Sequence, residues 1–377
     1  MNCLSFFTGA GGLDLGISQA GFNIKLCVEI EELFCQTLRA NRETNEVIIL
    51  NENIMDITTE RLDDELGLGE NGERIIENID LMIGGSPCQS FSTAGRRRSF
   101  EDERGAAMLR FITLIGEIQP KVFLLENVKG LLSAALEHVT LEERNRRREA
   151  GEPIQQEREL HGSVLKLIMD RFNEIGYNIT YKTINSANYG VPQKRERVIF
   201  IGVRRDLNRN FEFPRETHGN NNPDLEEWVT FETVYNELRN QNIEHHYEEY
   251  RPERLRFMQH IPVGGGNWRD LPENMQQEAL GGAFTSTGGR VGFFRRIYLD
   301  RPAPTVLTSP TQKSTNLGHP IEDRPLSIEE YKLLQGFPLN YIVAGDIKQQ
   351  YKQLGNAVPV EIGRVLGIKI HELLNME

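Results

Sequence analysis

Cys3-Leu4-Ser5-Phe6-Phe7-Thr8-Gly9-Ala10-Gly11-Gly12-Leu13-Asp14-Leu15-Gly16-Ile17 is the stretch on which the fold turns. Its first five residues read as a buried strand, and Thr8 to Gly12 form a glycine-rich turn. Leu13, Ile17 and Ala20 then recur at helical spacing. A second short apolar strand, Lys25-Leu26-Cys27-Val28, ends at Glu29, and an amphipathic segment carrying Leu33, Phe34 and Leu38 follows it. The order is strand, helix, strand, helix.

Working outward, Leu81-Met82-Ile83, Val122-Phe123-Leu124-Leu125 and Val198-Ile199-Phe200-Ile201 are further strand candidates separated by helical patterns. Alternation of this kind predicts an α/β fold with a doubly wound, mostly parallel sheet. Ligands of such sheets bind beyond the carboxyl ends of the strands. Glu29, Gly84-Gly85-Ser86-Pro87-Cys88 and Glu126-Asn127-Val128 all stand at those ends, so three polar sites converge on one edge.

The chain has 377 residues, 26% charged and 38% hydrophobic, which describes a soluble globular protein large enough for two lobes. No apolar run approaches the roughly 20 residues of a membrane helix, and Met1-Asn2-Cys3 leads straight into a strand, so a cytoplasmic protein without a membrane partner is expected. The cysteines at 3, 27, 35 and 88 show neither zinc-ligand nor disulfide spacing, and no metal is expected. A net charge of −12 excludes a nonspecific nucleic-acid coat protein but leaves room for local basic patches. Arg96-Arg97-Arg98 and Lys194-Arg195-Glu196-Arg197 are such patches, whereas the arginines of 144–148, set among glutamates, read as a solvated face.

Residues 130–162 read as an inserted helix and loop. From about 206 to 300 the periodicity weakens between turns such as Asn220-Asn221-Asn222-Pro223 and Gly264-Gly265-Gly266-Asn267, which suits a loop-rich second lobe. Ser327 and Glu330 form a capping box, Gly336 and Pro338 stop that helix, and a final helix spans about 359–374.

Three places carry chemistry. The turn at Gly9 to Gly12 lets a backbone approach a ligand closely, and Glu29, 17 positions beyond Gly12, is placed to accept hydrogen bonds from ribose hydroxyls. The spacing is not that of a dinucleotide site. Cys88 follows a proline at a strand end in polar surroundings, unlike Cys3, Cys27 and Cys35, whose apolar contexts mark small buried hydrophobes. Glu126 closes a buried strand, where desolvation raises a carboxyl pKa and suits a group that donates or shares a proton.

With these residues in place, the sequence resembles the DNA cytosine-C5 methyltransferase family of bacterial type. Six ordered blocks carry the resemblance: Phe7 to Gly12, Gly85-Ser86-Pro87-Cys88-Gln89, Glu126-Asn127-Val128, Gln193-Lys194-Arg195-Glu196-Arg197, Arg301-Pro302-Ala303-Pro304-Thr305 and Gln353-Leu354-Gly355-Asn356-Ala357-Val358. The resemblance implies a Rossmann-like S-adenosylmethionine-dependent methyltransferase sheet with a smaller target-recognition domain. Cys88 corresponds to the nucleophile that attacks C6 of cytosine, Glu126 to the acid at N3 and Arg197 to the contact on O2, with Arg195 nearby. S-adenosylmethionine, with S-adenosylhomocysteine as product, is expected against Phe7, Gly9, Ala10, Gly11, Gly12, Glu29, Ile30, Asp56, Ile57, Pro87, Asn356, Ala357 and Val358.

The chemistry accounts for the set. Carbon 5 of cytosine is a poor nucleophile, and a thiolate added at C6 with an acid at N3 turns the ring into an enamine. The target atom lies inside a stacked duplex, so the family rotates the base outward. The expected organisation is a catalytic domain of 1–205 plus 345–377 and a target-recognition domain of 206–344, acting as a monomer on double-stranded DNA held between them. A cognate restriction endonuclease would act separately. Asn267, Trp268, Arg269, Arg290, Arg295 and Arg296 are candidate base readers. Two rivals share the core: a tRNA cytosine-5 methyltransferase and a catalytically inactive DNA-binding homologue. The tRNA branch carries Cys-Phe-Thr, but the cysteines here precede Leu4, Val28, Gln36 and Gln89.

Overall fold

The computed structural model describes residues 1–41, 47–69, 71–86, 103–137, 141–151, 156–285 and 290–376. Pro87, Cys88 and Arg96 to Arg98 lie outside the described residues.

Seven strands form the central sheet: β1 (Asn2–Phe6), β2 (Asn23–Val28), β3 (Ile48–Leu50), β4 (Leu81–Gly85), β5 (Val122–Val128), β6 (Tyr177–Asn185) and β7 (Glu196–Arg204). Their spatial order is β3-β2-β1-β4-β5-β7-β6. The first five pair in parallel, and β7 runs antiparallel to both β5 and β6. The expected α/β fold is what the chain adopts, with one reversed strand slotted between two others.

The helices are α1 (Gly12–Gln19), α2 (Glu32–Ala40), α3 (Thr59–Leu66), α4 (Glu103–Ile118), α5 (Leu141–Glu149), α6 (Ser163–Glu174), α7 (Phe231–Asn240), α8 (Pro252–Met258), α9 (Glu273–Leu280), α10 (Ile328–Gln335), α11 (Ile347–Asn356) and α12 (Val360–Asn375). Side chains alternate across the sheet. Leu4, Phe6, Met82, Phe123 and Leu125 point into a core shared with α4 and α6. Cys3, Leu81, Ile83, Val122 and Leu124 point into the opposite core beneath α1 and α12. Strands buried on both faces read as unbroken apolar runs rather than as alternation.

Two glycines let α12 and the segment just before it lie directly on α1. A Cβ on Gly16 would stand 2.1 Å from the Val360 carbonyl oxygen, and one on Gly12 2.3 Å from that of Val358. Only hydrogen fits there. The C-terminal helix therefore fixes the position of the Gly-rich turn that opens α1.

Beyond the sheet, α7, α10 and α11 share a third core that includes Ala10 of the turn. The Ser327–Glu330 capping box opens α10 and Gly336, at φ 77°, ends it, as the sequence predicts. Tyr250, Phe257, Met258, Trp268, Leu280, Phe293 and Phe294 form a separate small core around α8 and α9. In the insertion, two arginines of α5 are tied to glutamates: Arg147 donates to Glu159 at 2.7 Å and to Glu143 at 2.9 Å, and Arg146 pairs with Glu143 at 2.8 Å.

Candidate active site

The order of strands reverses between β1 and β4, and the crevice outside their carboxyl ends is the natural ligand site. Phe7, Gly9 and Gly11 all have positive φ, at 54°, 58° and 78°, so the chain after β1 folds back sharply before α1. For Phe7 this left-handed backbone is strained, by about 1–3 kcal/mol for such sites. Ala10 is buried, and its carbonyl accepts from the Tyr341 hydroxyl at 2.7 Å.

Glu29 is buried at the end of β2, and its two carboxylate oxygens accept from the backbone N–H groups of Gly9 at 2.8 Å and Glu31 at 3.0 Å. Desolvation pushes its pKa up, partly offset by these N–H groups and that of Ile30. Ile30 beside it is 62% exposed, a bare apolar side chain just beyond the end of β2. Asn51 donates to the carbonyls of Glu29 at 3.1 Å and Ile30 at 2.8 Å, tying the segment before Asp56 to the same strand end. Asp56 is exposed at the end of a short turn, whereas Ile57 is fully buried in the core. From the C-terminal side, Ala357 and Val358 are buried against the turn and the Asn356 side chain is exposed.

The second group lies on β4, β5 and β7. Parallel register sets Gly85 opposite Glu126, and a Cβ on Gly85 would meet the Glu126 Oε2 at 3.3 Å. Glu126 is 8% exposed, and Arg197 of β7 donates to it through Nε at 2.9 Å. Burial raises the Glu126 pKa, opposed first by Arg197 and then by Arg195. The direction expected from sequence holds.

Asn127 is the residue that sequence reasoning passed over. Fully buried, it donates to the Ser86 hydroxyl at 2.8 Å and the Ser86 carbonyl at 3.3 Å, and accepts from the Val128 N–H at 2.8 Å. It pins the strand end two residues before Cys88. Truncating such a buried amide typically costs about 1–3 kcal/mol.

Arg195 points elsewhere. It is 3% exposed and donates to the carbonyls of Val306 at 3.1 Å, Gly355 at 3.0 Å and Asn356 at 3.3 Å, bracing β7 against the C-terminal segment. Beside Arg197 opens a cleft of about 700 Å³ lined by Lys129, Ser133, Asn185, Lys194, Glu196 and Thr305 among others.

The candidate base readers fare unequally. Arg296 is buried at 1% exposure and donates to the carbonyls of Met258, Ile261, His319 and Glu322 and to Asp323, which makes it a brace of the small core. Arg295 donates to the Asn316 carbonyl at 3.1 Å, and Arg290 to that of Ala283 at 3.0 Å. Trp268 is buried, and Asn267 caps its turn by accepting from the Arg269 N–H at 3.2 Å. Arg269 is exposed.

Comparison with known proteins agrees with this geometry. The family model for C-5 cytosine-specific DNA methylases matches residues 1–151 and 155–372, so the chain belongs to that family and is a DNA cytosine-5 methyltransferase. Among its relatives are the Type II methyltransferases M.Sau96I of Staphylococcus aureus, 34% identical over 99% of this chain and 76% of its own length, and M.PspPI of Psychrobacter sp. (strain TA137), 36% identical over 99% and 79%. M.Eco47II of Escherichia coli is 33% identical over 99% and 79%. In fold the chain is similar to a prophage-encoded E. coli protein described as a DNA modification methyltransferase, with a TM-score of 0.63 at 22% identity over the whole of both chains. The S. pombe Dnmt2 methyltransferase has a TM-score of 0.56 at 16% identity, again over both chains entirely.

Proposed function

We propose that this methyltransferase takes the methyl group from S-adenosylmethionine and places it on C5 of a cytosine turned out of duplex DNA, through a covalent adduct with Cys88. The observation that carries the reading is Glu126, a buried carboxyl with a raised pKa, paired to Arg197 and set in register with the strand end that leads to Cys88.

The pocket suits S-adenosylmethionine. A Cβ on Gly9 would meet only the Phe7 carbonyl oxygen, at 4.0 Å, so the turn presents an open backbone face. Phe7, Gly9 to Gly12 and Ala357-Val358 would hold the amino-acid part, Glu29 the ribose, and exposed Ile30 with Asp56 the adenine. Bound there, the cofactor supplies an electrophilic methyl on a sulfonium. Pro87 and Asn356 complete the set.

The protein's own residues prepare the base. The Cys88 thiolate forms a bond to C6, and the displaced ring electrons make C5 nucleophilic while Glu126 holds a proton at N3. Arg197, fixed by Glu126, is placed for the cytosine O2, and Arg195 keeps β7 against the segment that closes the cofactor pocket. After C5 gains the methyl, its proton leaves to a base and the S–C6 bond breaks, restoring the ring and the thiolate.

The relatives' printed role favours a Type II setting, in which methylation protects DNA from a restriction endonuclease acting separately. The reading further assigns residues 206–344 to target recognition, the duplex to the cleft between lobes, and the monomer to the cytoplasm. Bisulfite sequencing of DNA from cells expressing the chain should show cytosines protected in one sequence context. Unprotected DNA together with methylated tRNA would overturn the DNA reading.

A further inference from the structure

We propose that Lys194, poised on the indole of Trp228, forms a binding site for one backbone phosphate of the DNA. The inference rests on the duplex occupying the cleft beside Glu126 and Arg197.

Two lysines line that cleft, and their surroundings differ. Lys129 pairs with Glu196 at 3.2 Å, so its charge is locally balanced. Lys194 is exposed, and no carboxylate pairs with it among the described residues. Instead its Nζ stands 4.2 Å from the centroid of the Trp228 ring. An aromatic face attracts an ammonium through its quadrupole and holds it in place without cancelling its charge, as a carboxylate would. A localised, uncancelled cation beside a cleft, on a chain of net charge −12, is what a phosphate contact requires.

The supporting parts are themselves fixed. Trp228 donates from Nε1 to the Asn188 side chain at 3.0 Å, and the segment before it is anchored by Thr217 N–H to the Asn188 carbonyl at 3.0 Å. On the lysine side, Lys194 lies in a two-residue strand paired with Ala303–Pro304, and the Thr305 hydroxyl donates to its carbonyl at 2.8 Å. Backbone and side chain are thus both held. Trp228 acts through Lys194 and is a positioning residue.

The test measures binding of the full-length chain, with S-adenosylhomocysteine present, to a labelled duplex bearing its methylated site over a range of salt. Lys194→Met should weaken binding equally on cognate and non-cognate duplexes and lower the log–log salt slope by about 0.9, the release expected for one phosphate contact. Trp228→Leu should weaken binding several-fold with the slope nearly kept, and Trp228→Phe should fall between it and wild type. In a Lys194→Met background, Trp228→Leu should have no further effect. Melting temperature and S-adenosylhomocysteine affinity serve as fold controls. An unchanged slope in folded Lys194→Met overturns the phosphate site, and additive losses in the double variant overturn the role of Trp228. A wild type without salt-dependent duplex binding fails at the cleft reading itself and takes this inference with it.

Discussion

At the scale of single residues, Glu126 illustrates how position creates chemistry. Its neighbours in sequence are an apolar strand and Asn127, and burial alone would favour the neutral acid. Arg197 at 2.9 Å opposes that effect without reversing it. Because the pKa is raised, the acid form survives above the ordinary carboxyl range, and it is lost as pH climbs through the raised value. Methyl transfer should therefore show a falling limb on the alkaline side that disappears in Glu126→Gln. That variant should also be slower by about 10²–10⁴-fold, the usual scale of a general acid, while S-adenosylhomocysteine titrates as in wild type. A lost cofactor affinity with transfer spared would place Glu126 in the wrong pocket. Arg296 is the opposite lesson. Its sequence context of adjacent arginines reads as a nucleic-acid contact, yet four backbone carbonyls claim its guanidinium, because only packing decides whether an arginine faces out.

At the scale of elements, legibility followed burial. β1, β2, β4, β5 and β7 were readable because both faces are covered, which leaves unbroken apolar runs. β6, Tyr177–Asn185, was not: it lies at the sheet edge with only two of its residues buried, so Asn178, Thr180 and Lys182 interrupt any pattern. β3 has only three residues, too few to show a period. The reversed direction of β7 depends on pairing, which no local pattern encodes. Asn127 was hidden for the same reason, since its partner Ser86 lies 41 positions away and only the β4–β5 register joins them.

The turn before α10 offers an element-level test. His319 is fully buried, and its Nδ1 accepts from the N–H groups of Ile321 at 3.2 Å and Glu322 at 2.9 Å, so that nitrogen must stay unprotonated. Desolvation, reinforced by the Arg324 charge, pushes its pKa down to about 3. The folded state then binds fewer protons than the unfolded one. This contribution is intact above the unfolded value of about 6.5 and is lost as pH falls toward 3, at about 1.4 kcal/mol per unit. Urea titrations should show His319→Gln less stable than wild type at neutral pH but losing less on acidification to pH about 4, a gap of a few kcal/mol. Equal acid losses would contradict a buried neutral ring.

At the scale of the whole molecule, the sheet's switch point brings two pockets together. In the proposed function the turn after β1 serves the cofactor and the ends of β4 and β5 serve the base, while Arg195 ties the C-terminal segment to the start of β7. This convergence was legible in sequence because the glycine turn, Glu29, Gly84-Gly85 and Glu126-Asn127-Val128 stand at or just beyond the ends of β1, β2, β4 and β5. What was not legible is the stretch from about 206 to 300, whose Gly-rich loops specify turns without naming their contacts. Exchanging residues 206–344 for the counterpart of a relative of different site specificity should move methylation to the donor's site. A folded, active hybrid that keeps the original site would place recognition elsewhere.

The central claim is a covalent step at Cys88, and fluorine at C5 of the target cytosine tests it directly. A fluorine cannot leave as the proton does, so the enzyme should remain bonded to C6 after methyl transfer. A denaturing gel with a 5-fluorocytosine duplex and S-adenosylmethionine should show a complex stable to denaturant, mass spectrometry should map it to Cys88, and Cys88→Ser should abolish it, because a hydroxyl is a far weaker nucleophile than a thiolate. Cys3, Cys27 and Cys35, all buried, should be dispensable for the adduct. Absence of the complex on a duplex that the enzyme demonstrably methylates, or its mapping to another cysteine, would contradict the mechanism.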